Sequence, residues 1–159
     1  MAGANGLNGA PGTNGTNGTN GTNGVANIMS YTLNSTPGGW THIGTAGSPG
    51  DAYQVLFSAP GVTGSIISGG AIMIYLINGS TISQLPITIG AFSNNGTRTF
   101  FYDASPGIVR INVCDSDFFT PAPSANLDFK LVTIPPAFIK AHPDYKDLSY
   151  EQLMALNTK

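Results

Sequence analysis

The sequence GANGLNGAPGTNGTNGTNGTNG, residues 3–24, places a glycine at every third position without interruption. A strict Gly-X-Y period is typical of the collagen triple helix, because only glycine fits at the crowded axis where three polyproline-II-like chains meet. The repeat therefore predicts a collagen-like stalk over residues 1–24 and a chain that assembles as a homotrimer. The glycines expected at the stalk axis are Gly3, Gly6, Gly9, Gly12, Gly15, Gly18, Gly21 and Gly24.

The repeat is poor in proline and carries no charge. Pro11 is its single proline, and threonine and asparagine occupy most of the other X and Y positions. Proline presets the polyproline-II dihedral, so a rod of roughly 70 Å that lacks it should be weak and should depend on an adjoining trimeric domain. The alternative is a flexible Gly/Thr/Asn linker, which gives no reason for an unbroken period.

The composition of the whole chain excludes some classes of partner. Charged residues make up 9% of the 159 residues, the formal net charge is −2, and no basic cluster is present. These values argue against binding to nucleic acid or to an anionic membrane surface. The longest apolar run, residues 71–77, is too short to span a bilayer. We therefore expect no nucleic-acid partner and no transmembrane segment.

After the repeat, the apolar period changes from three to two. Segments in which apolar and polar residues alternate predict half-buried strands. The uniformly apolar segment Ala71–Ile77 predicts a central strand that is buried on both faces. Asn78-Gly79 predicts a hairpin into a partner strand, Thr81–Thr88, which Pro86 would confine to a sheet edge. About eight strands with no helix among them favour an antiparallel β-sandwich or jelly-roll-like head over residues 25–135. The clearest alternating segments are 27–33, 52–58, 108–114 and 126–134.

The last residues, 136–159, form a tail of different character. Ser149-x-x-Gln152 is a capping box, which predicts a short helix over Tyr150–Asn157. Tyr150, Leu153 and Met154 supply its apolar side, which must pack either on its own sandwich or on a neighbouring subunit. The length of the tail favours the neighbour.

Three motifs near the end of the head bear a family resemblance. They are Asp115-Ser116-Asp117, Thr120-Pro121-Ala122-Pro123 and Leu127-x-Phe129-x-Leu131-Val132-x-Ile134-Pro135. With the repeat before them and the short helix after them, they resemble bacterial collagen-like surface proteins, many of which look like lipoproteins. The resemblance covers nearly the whole chain and implies an extracellular or cell-surface location. It supplies no catalytic residues, and the lipidated cysteine of such proteins is not seen here. The architecture is also similar to trimeric C1q/TNF-like proteins and to phage tail-fibre tips.

The candidates for chemistry are few. Asp115 and Asp117 are weak calcium candidates; otherwise they are solvated or cap loop N–H groups. His42 and His142 have no cysteine or carboxylate at ligand spacing, and an arrangement of a histidine with Asp144 lacks a nucleophile. Cys114 lies in a strand and is expected to be a packed thiol. We therefore expect no enzyme activity, no metal and no cofactor.

The aromatic pair Phe118-Phe119 lies in a proline-rich loop and is the most interesting surface candidate. Burial at a subunit interface, together with the tail residues, is the favoured interpretation. The alternative is an exposed hot spot for a glycan or protein receptor. The sequence thus favours a non-enzymatic structural or adhesive protein of a bacterial surface or extracellular fibre. A phage tail-fibre tip that recognises a host receptor is the second hypothesis, and a hydrolase is a distant third.

Overall fold

A computed structural model describes residues 28–90 and 96–156 of the chain. The predicted stalk, with its axial glycines from Gly3 to Gly24, lies outside the described residues. So do Asn94 and Asn95 of a predicted turn and Asn157 at the predicted end of the last helix. The stalk therefore remains a prediction from the sequence.

The described residues form two antiparallel sheets with short helices around them. Sheet A has the strand order β1-β9-β4-β5, and sheet B has the order β2-β3-β8-β7-β6. This confirms the expectation of a β-sandwich. The strands are β1 Met29–Ser35, β2 Thr41–Ile43, β3 Ala52–Ala59, β4 Ala71–Asn78, β5 Thr81–Gln84, β6 Ile87–Gly90, β7 Thr97–Ser105, β8 Gly107–Asp115 and β9 Leu127–Ile134. The helices are α1 Gly64–Gly69, α2 Pro136–Ala141 and α3 Tyr150–Leu156, with 3₁₀ turns at Pro37–Gly39 and Tyr145–Asp147.

Strand β4 shows how the sequence pattern builds two cores. Ile74 points between the sheets, where it packs with residues such as Ile111 and Phe129. Its neighbours Met73 and Tyr75 point to the opposite face of sheet A. Successive residues of a strand face opposite sides, so a uniformly apolar strand needs cover on both. The prediction of a central strand buried on both faces is confirmed.

The cover on the outer face of sheet A is the C-terminal tail. Leu153 of α3 is 0% exposed, and it belongs to the same apolar cluster as Phe138 of α2. The predicted capping box forms, with the Ser149 N–H donating to Gln152 Oε1 (2.8 Å) and the Gln152 N–H donating to Ser149 Oγ (3.2 Å). Pro135 and Pro136 turn the chain back directly after β9, which brings the helices onto their own sheet. Of the two predicted packing partners for the helix, its own sandwich and a neighbouring subunit, the structure shows the first for Leu153.

The predicted strand Thr81–Thr88 is wrong as a single element. The chain leaves sheet A after Gln84 and joins sheet B at Ile87, so that β5 and β6 are edge strands of different sheets. Leu85 lies between them, is almost fully buried, and donates its N–H to the carbonyl of Ile74 (2.8 Å). Pro86 was expected at a sheet edge, and it marks the point where the strand changes sheets.

The strand directions define two ends of the sandwich. Strand β1 begins at Met29 opposite Thr133, close to the end of β9. The Tyr102 hydroxyl near the end of β7 donates to the carbonyl of Ile72 near the start of β4 (2.6 Å). These contacts place the point where the chain arrives from the repeat at one end, here called the proximal end. The loops 44–50, 78–80 and 116–126 lie at the opposite, distal end.

Candidate functional site

The distal end displays the aromatic pair that follows β8. Phe118 is 42% exposed and Phe119 is 64% exposed. Phe118 has a φ of 62°, in the left-handed region that a bulky side chain seldom adopts. Such a conformation persists only where its surroundings fix it, and it is most frequent at functional positions. This pair is therefore the first candidate for a contact surface.

Backbone hydrogen bonds hold the pair in place. The Gly47 N–H donates to the carbonyl of Phe118 (2.7 Å), and the Phe118 N–H donates to the carbonyl of Asp115 (3.1 Å). Gly47 has a φ of 77°, and a Cβ at this position would lie 2.8 Å from Cζ of Phe119. The positive φ favours glycine at this position, and the absence of a side chain lets the Phe119 ring lie directly against the loop 44–50.

A buried carboxylate joins the two distal loops. Asp51 is 1% exposed, and its Oδ2 accepts the N–H of Thr120 (2.6 Å). Its Oδ1 lies 2.5 Å from His42 Nε2, and the Thr120 hydroxyl donates to the Asp51 carbonyl (3.2 Å). The backbone bond from Thr120, followed by the contact with His42, lowers the pKa of Asp51. The carboxylate is therefore ionised at neutral pH and fixes the loop that carries the aromatic pair.

The pairing of His42 with Asp51 was not predicted from the sequence. His42 was expected to have no carboxylate at ligand spacing, and the contact with Asp51, nine residues later in the chain, shows that this expectation is wrong. Strands β2 and β3 form a hairpin that pairs Ile43 with Ala52, so its two arms bring residues 42 and 51 together. The signal was present in the glycine-rich segment 44–50, which lies between two short β segments and is typical of a hairpin loop.

The two candidate calcium ligands have other partners. Asp115 is almost fully buried, and its two oxygens accept from Arg98 Nε (2.7 Å) and Nη2 (2.8 Å). This bidentate pair raises the pKa of Arg98. Asp117 Oδ1 accepts the N–H of Phe119 (3.1 Å), which is the capping role weighed as an alternative. Among residues 28–90 and 96–156, no three His, Cys, Asp or Glu side chains are grouped so that they could hold a metal ion.

The remaining chemical candidates lie apart from each other. His142 packs its ring against Phe138 in the tail, with 4.5 Å between the centroids. Cys114 is half-buried, and burial raises the pKa of its thiol, which disfavours the nucleophilic thiolate. Beside the His42–Asp51 pair, the Thr120 hydroxyl is bonded to the Asp51 carbonyl and to the N–H of Asp115 (2.9 Å). It is therefore not placed as a nucleophile that His42 could activate.

A cleft of about 570 Å³ opens between the sheets at the distal end. Leu76, Phe100 and Leu127 form apolar parts of its wall, while Arg98 and Asn126 contribute polar groups. A volume of this order suits a small ligand. Arg98 is already paired with Asp115, and the carboxylate of Asp128, which also lines the cleft, accepts from Asn34 Nδ2 (2.7 Å). The apolar wall therefore provides much of the surface that the cleft offers to a ligand.

The structure separates the predicted site residues into two groups. Asp115, Asp117, Phe118 and Phe119 come together at the distal end. Tyr150, Leu153 and Met154 lie in the tail, on the outer face of sheet A, where Tyr150 packs against Tyr75 with 5.5 Å between ring centroids. Whether either group contacts another subunit remains a prediction.

Comparisons with known proteins add no identity. No protein-family model, curated protein or solved structure matches this chain. Within residues 28–90 and 96–156, no helix has the length and apolar character that crossing a membrane requires.

Proposed function

We propose that this protein is a non-enzymatic, homotrimeric stalk-and-head protein with a structural or adhesive role on a cell surface or in an extracellular fibre. The observation that carries the proposal is the unbroken Gly-X-Y repeat over residues 3–24, which leads within a few residues into a β-sandwich. A repeat of this kind requires three chains, and a short, proline-poor one needs a folded domain that keeps those chains together.

The arrangement of the two ends of the head supports a role in which the stalk holds the distal end away from its point of attachment. The chain arrives from the repeat at the proximal end, and Phe118 and Phe119 project at the distal end. Strands β7 and β8 have nine residues each and span about 30 Å between the two ends. A stalk would therefore hold the aromatic pair outward. Exposed, preorganised aromatic side chains are frequent anchors of protein and glycan contacts.

Receptor recognition by a phage tail-fibre tip is the alternative that the distal cleft favours. The cleft and the aromatic pair lie at the same end, so a host-surface glycan or protein could engage both. Binding of the purified chain to bacterial cells, and its loss in Phe119→Ala, would favour this alternative over a purely structural fibre. A hydrolase would need a nucleophilic side chain that His42 could deprotonate. The nearby Thr120 hydroxyl does not serve, because it is hydrogen-bonded to the Asp51 carbonyl and to the Asp115 N–H.

The collagen part of the proposal is tested by one glycine. Gly15→Ala places a methyl group at the axis of the predicted triple helix, whereas Asn14→Ala changes the preceding Y position, which faces outward. Thermal melting followed by circular dichroism should show a repeat transition that Gly15→Ala abolishes or lowers strongly and that Asn14→Ala leaves nearly unchanged. Equal effects of the two substitutions, or no repeat transition in the parent chain, would mean that the glycines form a linker.

A further inference from the structure

The two sheets differ in what covers their outer faces. The tail covers the outer face of sheet A, with Leu153 fully buried beneath it. Among the described residues, the tail helices pack on sheet A, and the helix that contacts sheet B, α1 against β7, lies at the proximal end beside the start of β4. Leu56 of β3 and Phe101 of β7 point outward there, and they are 55% and 37% exposed. Two large apolar side chains on one sheet face that the tail leaves uncovered make this face a candidate interaction surface.

Between these apolar side chains lies a polar network that is already satisfied. Asn112 of β8 is 3% exposed even though it lies on the outer face. It accepts from Gln54 Nε2 (2.9 Å) and donates to Asp103 Oδ2 (3.2 Å), while Arg110 donates to Asp103 Oδ1 (2.7 Å). A partner can cover such a network without leaving buried groups unpaired. One arginine and one aspartate also leave the face without net charge, so like faces do not repel each other.

The length of the connection from the repeat indicates what covers the face. Gly24 and Ile28 are four residues apart, so an extended connection spans at most about 14 Å. Three chains that share one axis at Gly24 would hold their Ile28 residues within about 30 Å of one another. A domain of this size has a radius of gyration of about 14 Å. Three heads held this close together have a high effective concentration for one another, so the occupant that we infer is a second copy of this chain.

We propose that the outer face of sheet B packs against the heads of the other two chains around the axis of the stalk, with Leu56 and Phe101 buried there. This proposal rests on the trimeric function proposed above. Strands β3, β7 and β8 run between the proximal and distal ends, so the face extends along the direction of the rod. The five strands of sheet B have between three and nine residues, and together they present about 500 Å², below the 800 Å² per partner of a standard interface. The head contact and the repeat therefore reinforce each other through effective concentration.

The test is the solution mass of the full chain, measured by light scattering over a range of protein concentrations. The double variant Leu56→Glu/Phe101→Glu places two charges on the face, and Ile67→Glu places one on an exposed apolar position of α1, away from the face. We expect the parent and Ile67→Glu to have three times the chain mass of 16.4 kDa. The double variant should need at least about tenfold more protein to form the same fraction of trimer.

The outcomes separate the two proposals. If the parent is a trimer and the double variant dissociates no more easily than Ile67→Glu, the assignment of the face is overturned and the stalk-and-head function stands. If the parent is a monomer at every concentration, the trimeric function fails and the interface fails with it. Circular dichroism checks that each variant folds. If the double variant does not fold, Phe101→Ser replaces it, since this substitution removes one exposed ring and adds no charge. Its trimer fraction at each protein concentration is then compared with that of Ile67→Glu.

Discussion

Two threonines with low exposure but different surroundings give a matched test of how the distal loops are held. Thr120 Oγ1 accepts the N–H of Asp115 (2.9 Å) and donates to the carbonyl of Asp51 (3.2 Å). Thr133 of β9 is fully buried, and its hydroxyl has no hydrogen-bond partner among the described residues. Replacing each threonine by valine exchanges a hydroxyl for a methyl group of similar size, so the two variants differ mainly in the bonds that they lose.

The expected magnitudes follow from those bonds. Thr120→Val leaves the buried N–H of Asp115 without its acceptor, which costs about 1–3 kcal/mol, and loses a second, longer bond. We expect a loss of about 2 kcal/mol in the free energy of unfolding, or about 8 °C in melting temperature for a domain of this size. Thr133→Val removes a hydroxyl that was buried without a partner. It should be neutral or stabilise the protein by up to about 1 kcal/mol.

The assay is thermal and urea denaturation of the full-length variants at one fixed protein concentration, because assembly makes melting temperatures depend on concentration. If Thr133→Val destabilises the protein as much as Thr120→Val, the effect is one of shape and the reasoning from hydrogen bonds is refuted. If Thr120→Val is as stable as the parent, Thr120 does not hold the distal loop that carries the aromatic pair.

Leu153→Ala should lower the free energy of unfolding, measured by urea denaturation, by about 2–5 kcal/mol. Met154→Ala, at a half-buried position, should lower it clearly less. Similar losses for the two variants would contradict the docking of the tail on its own sheet. Because its pKa is lowered in the folded state, Asp51 contributes stability above about pH 4 that is lost as the pH falls through the folded-state pKa. The difference in melting temperature between the parent and Asp51→Asn should therefore narrow as the pH falls below about 4, whereas a constant difference would argue against an ionised carboxylate. Calcium or a chelator should shift the melting temperature by less than about 1 °C, since Arg98 occupies both oxygens of Asp115; a rise of several degrees with calcium would restore the metal hypothesis.

The strands could be predicted from the sequence because their patterns are local. Alternation along β3 puts Val55 against the core and leaves Leu56 outside, and the apolar run of β4 implies cover on both faces. The Asn78-Gly79 dipeptide predicts its own hairpin, because Gly79 readily takes the positive φ that the turn needs. These are the features that short-range sterics and burial determine.

Features that depend on which elements meet in space could not be predicted. Nothing local in Thr81–Thr88 tells that Leu85 turns into the core and that the chain then changes sheets. The apolar side of α3 shows that Leu153 is buried, but not whether its own sheet or another subunit buries it. The pairing of His42 with Asp51 depends on a hairpin whose strand β2 has only three residues. A strand this short leaves little periodic signal, so the glycine-rich segment 44–50 alone indicated a hairpin, and it did not show which side chains would meet.

The stalk-and-head account is tested most directly by the solution mass of the intact chain, measured by light scattering at micromolar concentration. The account predicts a homotrimer, with three times the chain mass of 16.4 kDa. A mass of one chain at every accessible concentration would contradict it. In that case the glycines of residues 3–24 would be a linker, and Phe118 and Phe119 would belong to the surface of a single head.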